Sequence, residues 1–506
     1  VVALLLLIGL VALHRAGRND NPELLDQGAY LHVSLLIHEH RGLTDGNRHP
    51  LYPALLAPFA SRDHAFFPSA KIVTLVLGLA GYAFVAWRVA RRWGSGMAAL
   101  VLLACGSSFV WTASGLRCEV LLIPLVWAFW ETGAAGFEAP RRWIVAGAAA
   151  GLCYLTKASG MLLVLAFGAS WLLGGQLRDR RRWNLALFLI PLALVISPLA
   201  VWNARQYGEP FYNVNSKHVM WLDGWEQAGR VHTPLPTLQS WFAEHGMRDA
   251  VARELSGFVR LPDLWLFVLF AAAVASMVAS GRNRPEAVVS RTLKPVELSL
   301  AVAVVGIHAV LLAWYTPVVS SSRFVIPIQP IMWLVVLAAA AQRLPAALMR
   351  WIGRARPALA VLLVFAVVLA PFVLDLHDPY RDDIATYPEI EDWIRSSGEA
   401  SLVYGPSQNF PQWIFIPDFA FVPVPPDVTF DEMIERASRS GARYYLVDRE
   451  MLRNRPQIAA LVGEVPGSGL TPASGAEGFE LVASDREVPT RWLLFRYTGS
   501  APERLP

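Results

Sequence analysis

Hydrophobic residues along this chain come in long blocks, and the polar residues between them are neither periodic nor evenly spread. The blocks run Val1–Leu13, Lys71–Trp87, Met97–Trp111, Val120–Ala135, Trp143–Leu173, Asn184–Trp202, Asp263–Ser280, Leu298–Trp314, Phe324–Ala341 and Ala358–Leu374. Most have the length of an α-helix crossing a bilayer, which needs roughly 20 apolar residues. Trp143–Leu173 is too long for one ordinary span and carries basic residues at both ends. Two short helices with a turn at Thr156-Lys157-Ala158-Ser159-Gly160 fit it better. This pattern predicts about eleven membrane helices over residues 1–375. The chain starts Val1-Val2 without Met, so the first helix is expected to be clipped. Leu13-His14-Arg15 offers no small-residue cleavage site of a signal peptide.

The polar stretches differ sharply from one another. Pro22–Phe59 (within an outer loop of 14–70) is rich in turn residues and charge, and Asn203–Pro262 is a second long loop of about sixty residues. Residues 376–506 are charged and punctuated by Pro and Gly. There Ser401–Tyr404, Arg443–Val447 and Trp492–Tyr497 read as strands, and Thr429–Ser440 and Arg449–Leu461 as helices. The expected architecture is a mainly α polytopic membrane protein with a small C-terminal α/β domain.

Composition agrees. The chain is 55% hydrophobic and 17% charged, a balance that soluble domains do not show. Its 19 Trp suit interfacial belts. The net charge of +4 matters less than where the Arg residues lie. Basic clusters follow the second, fourth, sixth, eighth and tenth helices: Arg88/Arg91/Arg92, Arg141/Arg142, Arg178–Arg182, Arg282–Lys294 and Arg343–Arg356. Every second loop is therefore basic, and the positive-inside rule makes those loops cytoplasmic. The loops with Asp26, Glu119, Lys157 and Arg323, and everything after Leu374, then face outside. The three cysteines, Cys105, Cys118 and Cys153, lie in or beside apolar segments and read as core-filling thiols. No zinc spacing, nucleotide fingerprint or internal repeat is visible, and nothing points to nucleic acid.

The candidate chemistry lies in the outward loops. The first carries Asp26, then Tyr30 a helical turn later, Asp45 in a turn with Gly46, and the run Arg48-His49-Pro50-Leu51-Tyr52. An acid can accept a proton from an attacking hydroxyl, and a guanidinium can grip phosphate oxygens bidentately. Plainer readings exist for each: Asp26 as a helix cap, Asp45 as a turn initiator, Arg48 as a snorkelling interfacial cation. Arg117 and Glu119 lie at the entry to the fourth helix, where they can simply pair with each other. Lys157 stands at the apex of the turn, and Arg323 opens the tenth helix.

Taken together these residues resemble the GT-C glycosyltransferases. The likeness is to the protein mannosyltransferase and aminoarabinose transferase group, with its bacterial relatives that modify lipopolysaccharide. The matching motifs are Asp26 with Tyr30, the basic-Pro-aromatic run Arg48, Pro50 and Tyr52, the Arg117-x-Glu119 motif, the Leu155-Thr156-Lys157-x-x-Gly160 run, and Arg323-Phe324 with Pro327. The chain departs from the pattern at Gln27, where an acid is usual, and at His49-Pro50, where Pro-Pro is common. The resemblance implies an inverting glycosyltransferase of the bacterial inner membrane, with its site and C-terminal domain facing the periplasm. It implies Asp26, Glu119 or Asp45 as catalytic acids, Arg48, Arg323 and Lys157 on the donor phosphate, and Tyr30, His49, Tyr52 and Arg117 on substrate. The donor would be a polyprenyl-phosphate sugar, since nucleotide sugars are cytoplasmic. The acceptor would be lipid A, another envelope glycan or a protein. The resemblance fixes no cofactor: some members need a divalent ion and others do not, so a divalent metal stays open. The rival reading, a transporter or lipid flippase, predicts internal repeats and ionisable groups at midplane, whereas here the charges sit at helix ends.

Overall fold

The computed structural model describes residues 1–19, 22, 26–173, 180–224, 236–281 and 293–343. Of the rest it describes 396, 402–405, 420–423, 429–440, 443–448, 452, 456–465, 468–473, 478–484 and 490–498. The apolar block Ala358–Leu374 and, of the expected helix Arg449–Leu461, residues 449–451 and 453–455 lie outside these residues; its described end, Pro456–Ala460, is a 3-10 turn.

The first block is helix α1 (Val2–Arg18), and the first outer loop holds two further helices, α2 (Gln27–His38) and α3 (Leu51–Leu56). Next come α4 (Phe66–Trp93), α5 (Ser95–Ala104), α6 (Gly106–Ala113) and α7 (Glu119–Gly136). Helix α4 outruns its apolar block at both ends and stops at Gly94, whose φ of 94° suits glycine. The expected single helix Met97–Trp111 is instead two helices bent by 62° at Cys105, where Gly106-Ser107-Ser108 weakens the helical ladder. The long block after Trp143 forms α8 (Arg142–Thr156), a turn at Ala158–Gly160, and α9 (Met161–Leu173).

Helix α10 (Ala186–Tyr207) follows, and the second long loop proves helical: α11 (Val214–Lys217) and α12 (Leu238–Val259) occupy much of it. Then come α13 (Leu264–Gly281), α14 (Pro295–Tyr315) and α15 (Gln329–Arg343). Among the described residues four helical segments are long and apolar enough to cross a membrane, and two bent pairs raise that to six. The chain is a multi-pass, mainly α membrane protein.

One continuous core fills the bundle, with Trp127, Trp130, Trp143, Phe109 and Tyr82 fully buried. Glycines let backbones approach: a Cβ on Gly147 of α8 would lie 2.1 Å from the Phe188 carbonyl oxygen of α10. The C-terminal ends of α4 and α7 meet the N-terminal end of α14 through ion pairs. Arg88 holds Glu131 at 2.5 Å, Arg92 grips Glu297, and Trp130 donates to the Glu297 carbonyl at 3.0 Å. The N-terminal ends of α4 and α7 lie at the other end of the bundle, with the loop that follows α14.

Beyond the helices a five-stranded sheet has the order β2-β1-β3-β7-β6, and β4 and β5 form a separate hairpin. The strands of the two sheets are β1 (Leu402–Gly405), β2 (Ala420–Pro423), β3 (Tyr444–Asp448), β4 (Val462–Val465), β5 (Gly469–Pro472), β6 (Phe479–Ser484) and β7 (Trp492–Tyr497). Strand β1 is parallel to β2 and β3, with helix α16 (Phe430–Ser440) between β2 and β3 in sequence, while β7 is antiparallel to both neighbours. Tyr445 and Val447 of β3 and Leu493 and Phe495 of β7, alternate residues of each strand, pack with Met433 into a small core.

Candidate active site

Asp26 occupies the position before α2, but its side chain makes no cap hydrogen bond. It accepts instead from two arginines. Arg48 Nη2 lies 2.7 Å from Asp26 Oδ1, and Arg323 Nη1 lies 2.7 Å from Oδ2. One guanidinium comes from the first loop; the other comes from the segment joining α14 to α15. Burial alone would raise the Asp26 pKa, but the charges of Arg323 and Arg48 outweigh it. The carboxyl is held well below the usual carboxylate range.

A tight turn aims Arg48. Asp45 Oδ1 accepts from the backbone amides of Asn47 at 2.9 Å and Arg48 at 2.7 Å, and Asp45 Oδ2 accepts from Arg48 Nη1 at 3.2 Å. Thr44 Oγ1 closes the turn by donating to the Arg48 carbonyl at 2.6 Å. Gly46 has φ of 85°, and a Cβ there would meet Tyr212 and Tyr207 at 3.2 and 3.3 Å. The Gly46 carbonyl accepts from Val214 N at 2.9 Å, which ties the turn to the segment after α10. Asp45 is therefore both a turn anchor and a second counter-ion for Arg48.

Asp26 and Arg323 line a cleft with Tyr30, Trp111, Arg117 and Glu119. Glu119, at the start of α7, is paired with Lys157 at 2.7 Å. Arg117 stacks over the Trp111 ring, 3.6 Å from its centroid. Lys157 also sits over the Phe324 ring at 4.8 Å, next to Arg323. Two carboxylates, Asp26 and Glu119, and two guanidinium groups, Arg117 and Arg323, thus line one cleft, with Arg48 and Lys157 paired to the two acids. Such a cleft suits an anionic group together with a proton acceptor.

Two expected substrate-binding residues are not among those lining this cleft, although Tyr52 packs edge-on against Tyr30. Tyr52 is fully buried, with its hydroxyl 2.6 Å from Thr74 Oγ1. His49 is buried, with Nδ1 2.5 Å from the Tyr154 carbonyl and Nε2 3.4 Å from Asn213 Nδ2. That pattern fits a neutral ring donating from Nδ1, which pins the first loop to α8. Both positions follow from the run itself: Pro50 caps the start of α3, and α3 packs its inner face on α2 and α8. Tyr30 lines the cleft but donates its hydroxyl to Cys118 Sγ at 3.0 Å.

Burial pushes the His49 pKa down to about 4 from an ordinary 6.5. Between those values the unfolded chain binds a proton that the folded ring refuses. Stability is thus complete above about pH 6.5 and declines as acid approaches pH 4, by as much as roughly 3 kcal/mol. Burial pushes His32 down to about 4 as well. His49→Gln is expected to flatten the acid side of the melting-temperature profile. An unchanged slope in detergent-solubilised protein would show that His49 is not buried neutral.

Other residues at the site escape sequence reasoning. Gln27, a departure from the family pattern, is a connector: its Oε1 accepts from Asn19 Nδ2 and from the Leu116 amide, both at 2.9 Å. Lys71 donates to the carbonyls of Ala16 at 2.7 Å and of Asn19, capping the end of α1. Asp263 adopts φ of 56° at the corner before α13, with Gln329 Nε2 3.5 Å from its carboxylate. A polar residue beside an apolar block was the only signal for any of them. Among the described residues no group of three His, Cys, Asp or Glu side chains is placed to hold a metal.

No protein-family model and no curated protein matches the sequence. Solved structures do. ArnT from Cupriavidus metallidurans in its apo state superposes with a TM-score of 0.51 at 14% identity, covering 92% of each chain. The archaeal oligosaccharyltransferase AglB from Archaeoglobus fulgidus, in complex with an inhibitory peptide and a dolichol-phosphate, gives 0.50 at 12% identity. It covers 94% of this chain and 74% of its own. At such identities the likeness speaks for the fold, and it extends over nearly the whole chain: this protein has the GT-C fold of membrane glycosyltransferases.

Proposed function

We propose that this chain is an inverting glycosyltransferase that moves a sugar from a polyprenyl-phosphate donor to an acceptor hydroxyl or amide outside the cytoplasm. The observation that carries this reading is the carboxylate of Asp26 held between Arg48 and Arg323, which are 22 and 297 positions away in sequence. In the reaction the acceptor heteroatom attacks the sugar's anomeric carbon while the bond from that carbon to the phosphate oxygen breaks. The acceptor's proton passes to Asp26, and the polyprenyl phosphate leaves with the electron pair. Arg48 and Arg323 stabilise the charge that grows on the leaving phosphate. The dolichol-phosphate of AglB supports a lipid phosphate as the anion.

Glu119, locked to Lys157, serves best to shape the acceptor side of the cleft, with Arg117 and Trp111 opposite. The alternation of basic loops supports a site facing the periplasm of a bacterial inner membrane. The test is mass spectrometry of envelope glycolipids and glycoproteins from cells with and without the gene. One sugar residue is expected to disappear from one acceptor class on deletion and return with the unmodified gene. Identical envelope profiles in the two strains would refute the proposal.

A further inference from the structure

Helix α12 breaks at Gly246, where φ is 75°, and the part after the break presents three distinct faces. The first is buried against the end of α14. Gly257 approaches so closely that a Cβ there would lie 1.8 Å from the Ala313 carbonyl oxygen. Arg253 donates to the carbonyls of Trp314 at 3.1 Å and Met220 at 3.3 Å, and its guanidinium lies over the Trp314 ring. The second face is Met247, Val251, Leu255 and Val259, spaced four apart and 70%, 52%, 62% and 75% exposed. The third is polar, with Asp249, Ser256 and Arg260.

We infer that this part of α12 lies in the membrane surface, with the stripe from Met247 to Val259 inserted at the headgroup–acyl boundary. Three observations select lipid as the occupant. The helix meets Leu264–Ala279 at 89°, so if that apolar helix crosses the bilayer, α12 runs along its plane. The stripe continues across a short corner into Trp265 and Val268 of α13, which are 55% and 59% exposed and face lipid if α13 spans. Arg248 and Arg260 are both exposed on this stretch, where cations favour anionic headgroups. A helix with an apolar arc that carries one snorkelling cation, Arg248, beside a polar arc and a docked arc has the make-up of an interfacial element. Because the docked arc grips Ala313 and Trp314, a few residues before Arg323, insertion of the stripe sets the depth of the cleft relative to lipid phosphates.

The test does not depend on activity. The full chain, carrying one introduced cysteine at Met247, Val251, Leu255 or Val259, is spin-labelled and placed in bilayers containing phosphatidylglycerol. The native cysteines are all buried and should label poorly. Collision with dissolved oxygen is compared with collision with a water-soluble nickel chelate. The stripe labels are expected to show a several-fold higher oxygen-to-nickel ratio than labels at Asp249 and Ser256 on the same helix. Equal ratios on both faces would place the stripe in water and overturn the inference. Low collision with both reagents would place it under protein and overturn it equally. The four positions read independently, so loss of one variant leaves the outcome decided by the rest.

Discussion

Exchanging Asp26 for Asn is expected to lower sugar transfer by about 10²–10⁴-fold while leaving the protein inserted and its affinity for donor phosphate intact or higher. The direction of the affinity change follows from the two ion pairs. Each carboxylate oxygen of Asp26 accepts from one guanidinium at 2.7 Å. A donor phosphate must therefore compete with Asp26 for the same N–H groups. Asn keeps the volume but surrenders the charge, so the guanidinium groups meet the phosphate with one anion fewer to displace. On the proposed mechanism the same competition would let so acidic a carboxyl act as a base. Its low pKa is enforced by Arg323 and Arg48 against the effect of burial. A phosphate that claimed those cations would strip Asp26 of its compensation and make it a stronger proton acceptor at the moment when the donor is in place. Transfer from a polyprenyl-phosphate sugar and binding of the sugar-free polyprenyl phosphate are the two readouts. Transfer at the unmodified rate would remove Asp26 from the role of base. Weaker phosphate binding in the Asn variant would show that no competition exists.

How much of this was legible in the sequence depends on the range of the interaction. Apolar blocks set the helices because the bilayer imposes their length, and Trp492–Tyr497 and the two short helices either side of Lys157 lie where the pattern puts them. Helix breaks inside a block were not legible. The bend at Cys105 needs only a weak Gly-Ser-Ser run, and α12 has too low an apolar density to stand out in a loop. Within the site, the motifs pick out Asp26, Arg48 and Arg323, and the fold brings these together. Spacing alone could not say that Glu119 pairs with Lys157 rather than with Arg117, or that His49 and Tyr52 turn inward. Those choices rest on contacts between segments tens of residues apart, such as His49 with Tyr154 and Tyr52 with Thr74. Short-range patterns carry no information on such pairs.

Arg48→Ala and Arg323→Ala are each expected to lower kcat/KM by about 10²–10³-fold, the scale for losing one donor to a developing negative charge. The two arginines should nevertheless differ in a second readout. Arg48 is the centre of a folded turn: it holds Asp45 as well as Asp26, and its own backbone is bonded to Asp45 and Thr44. Its removal leaves two acids facing each other without their shared cation, so the melting temperature should fall with activity. Arg323 contributes one ion pair at a partly buried position, with 24% of its side chain accessible, and holds no turn in place as Arg48 does. Its loss should spare the melting temperature while weakening transfer. Lysine should restore part of the rate at either position, since the charge returns but the planar fork does not. The double variant separates this arrangement from two independent sites. If both guanidinium groups grip one phosphate, removing the second costs less than removing the first, and the combined loss falls short of the product of the single losses. Measured kcat/KM values that multiply cleanly would mean that Arg48 and Arg323 serve different anions. Arg323 would then be a candidate for the acceptor side of the cleft, next to Glu119 and Lys157.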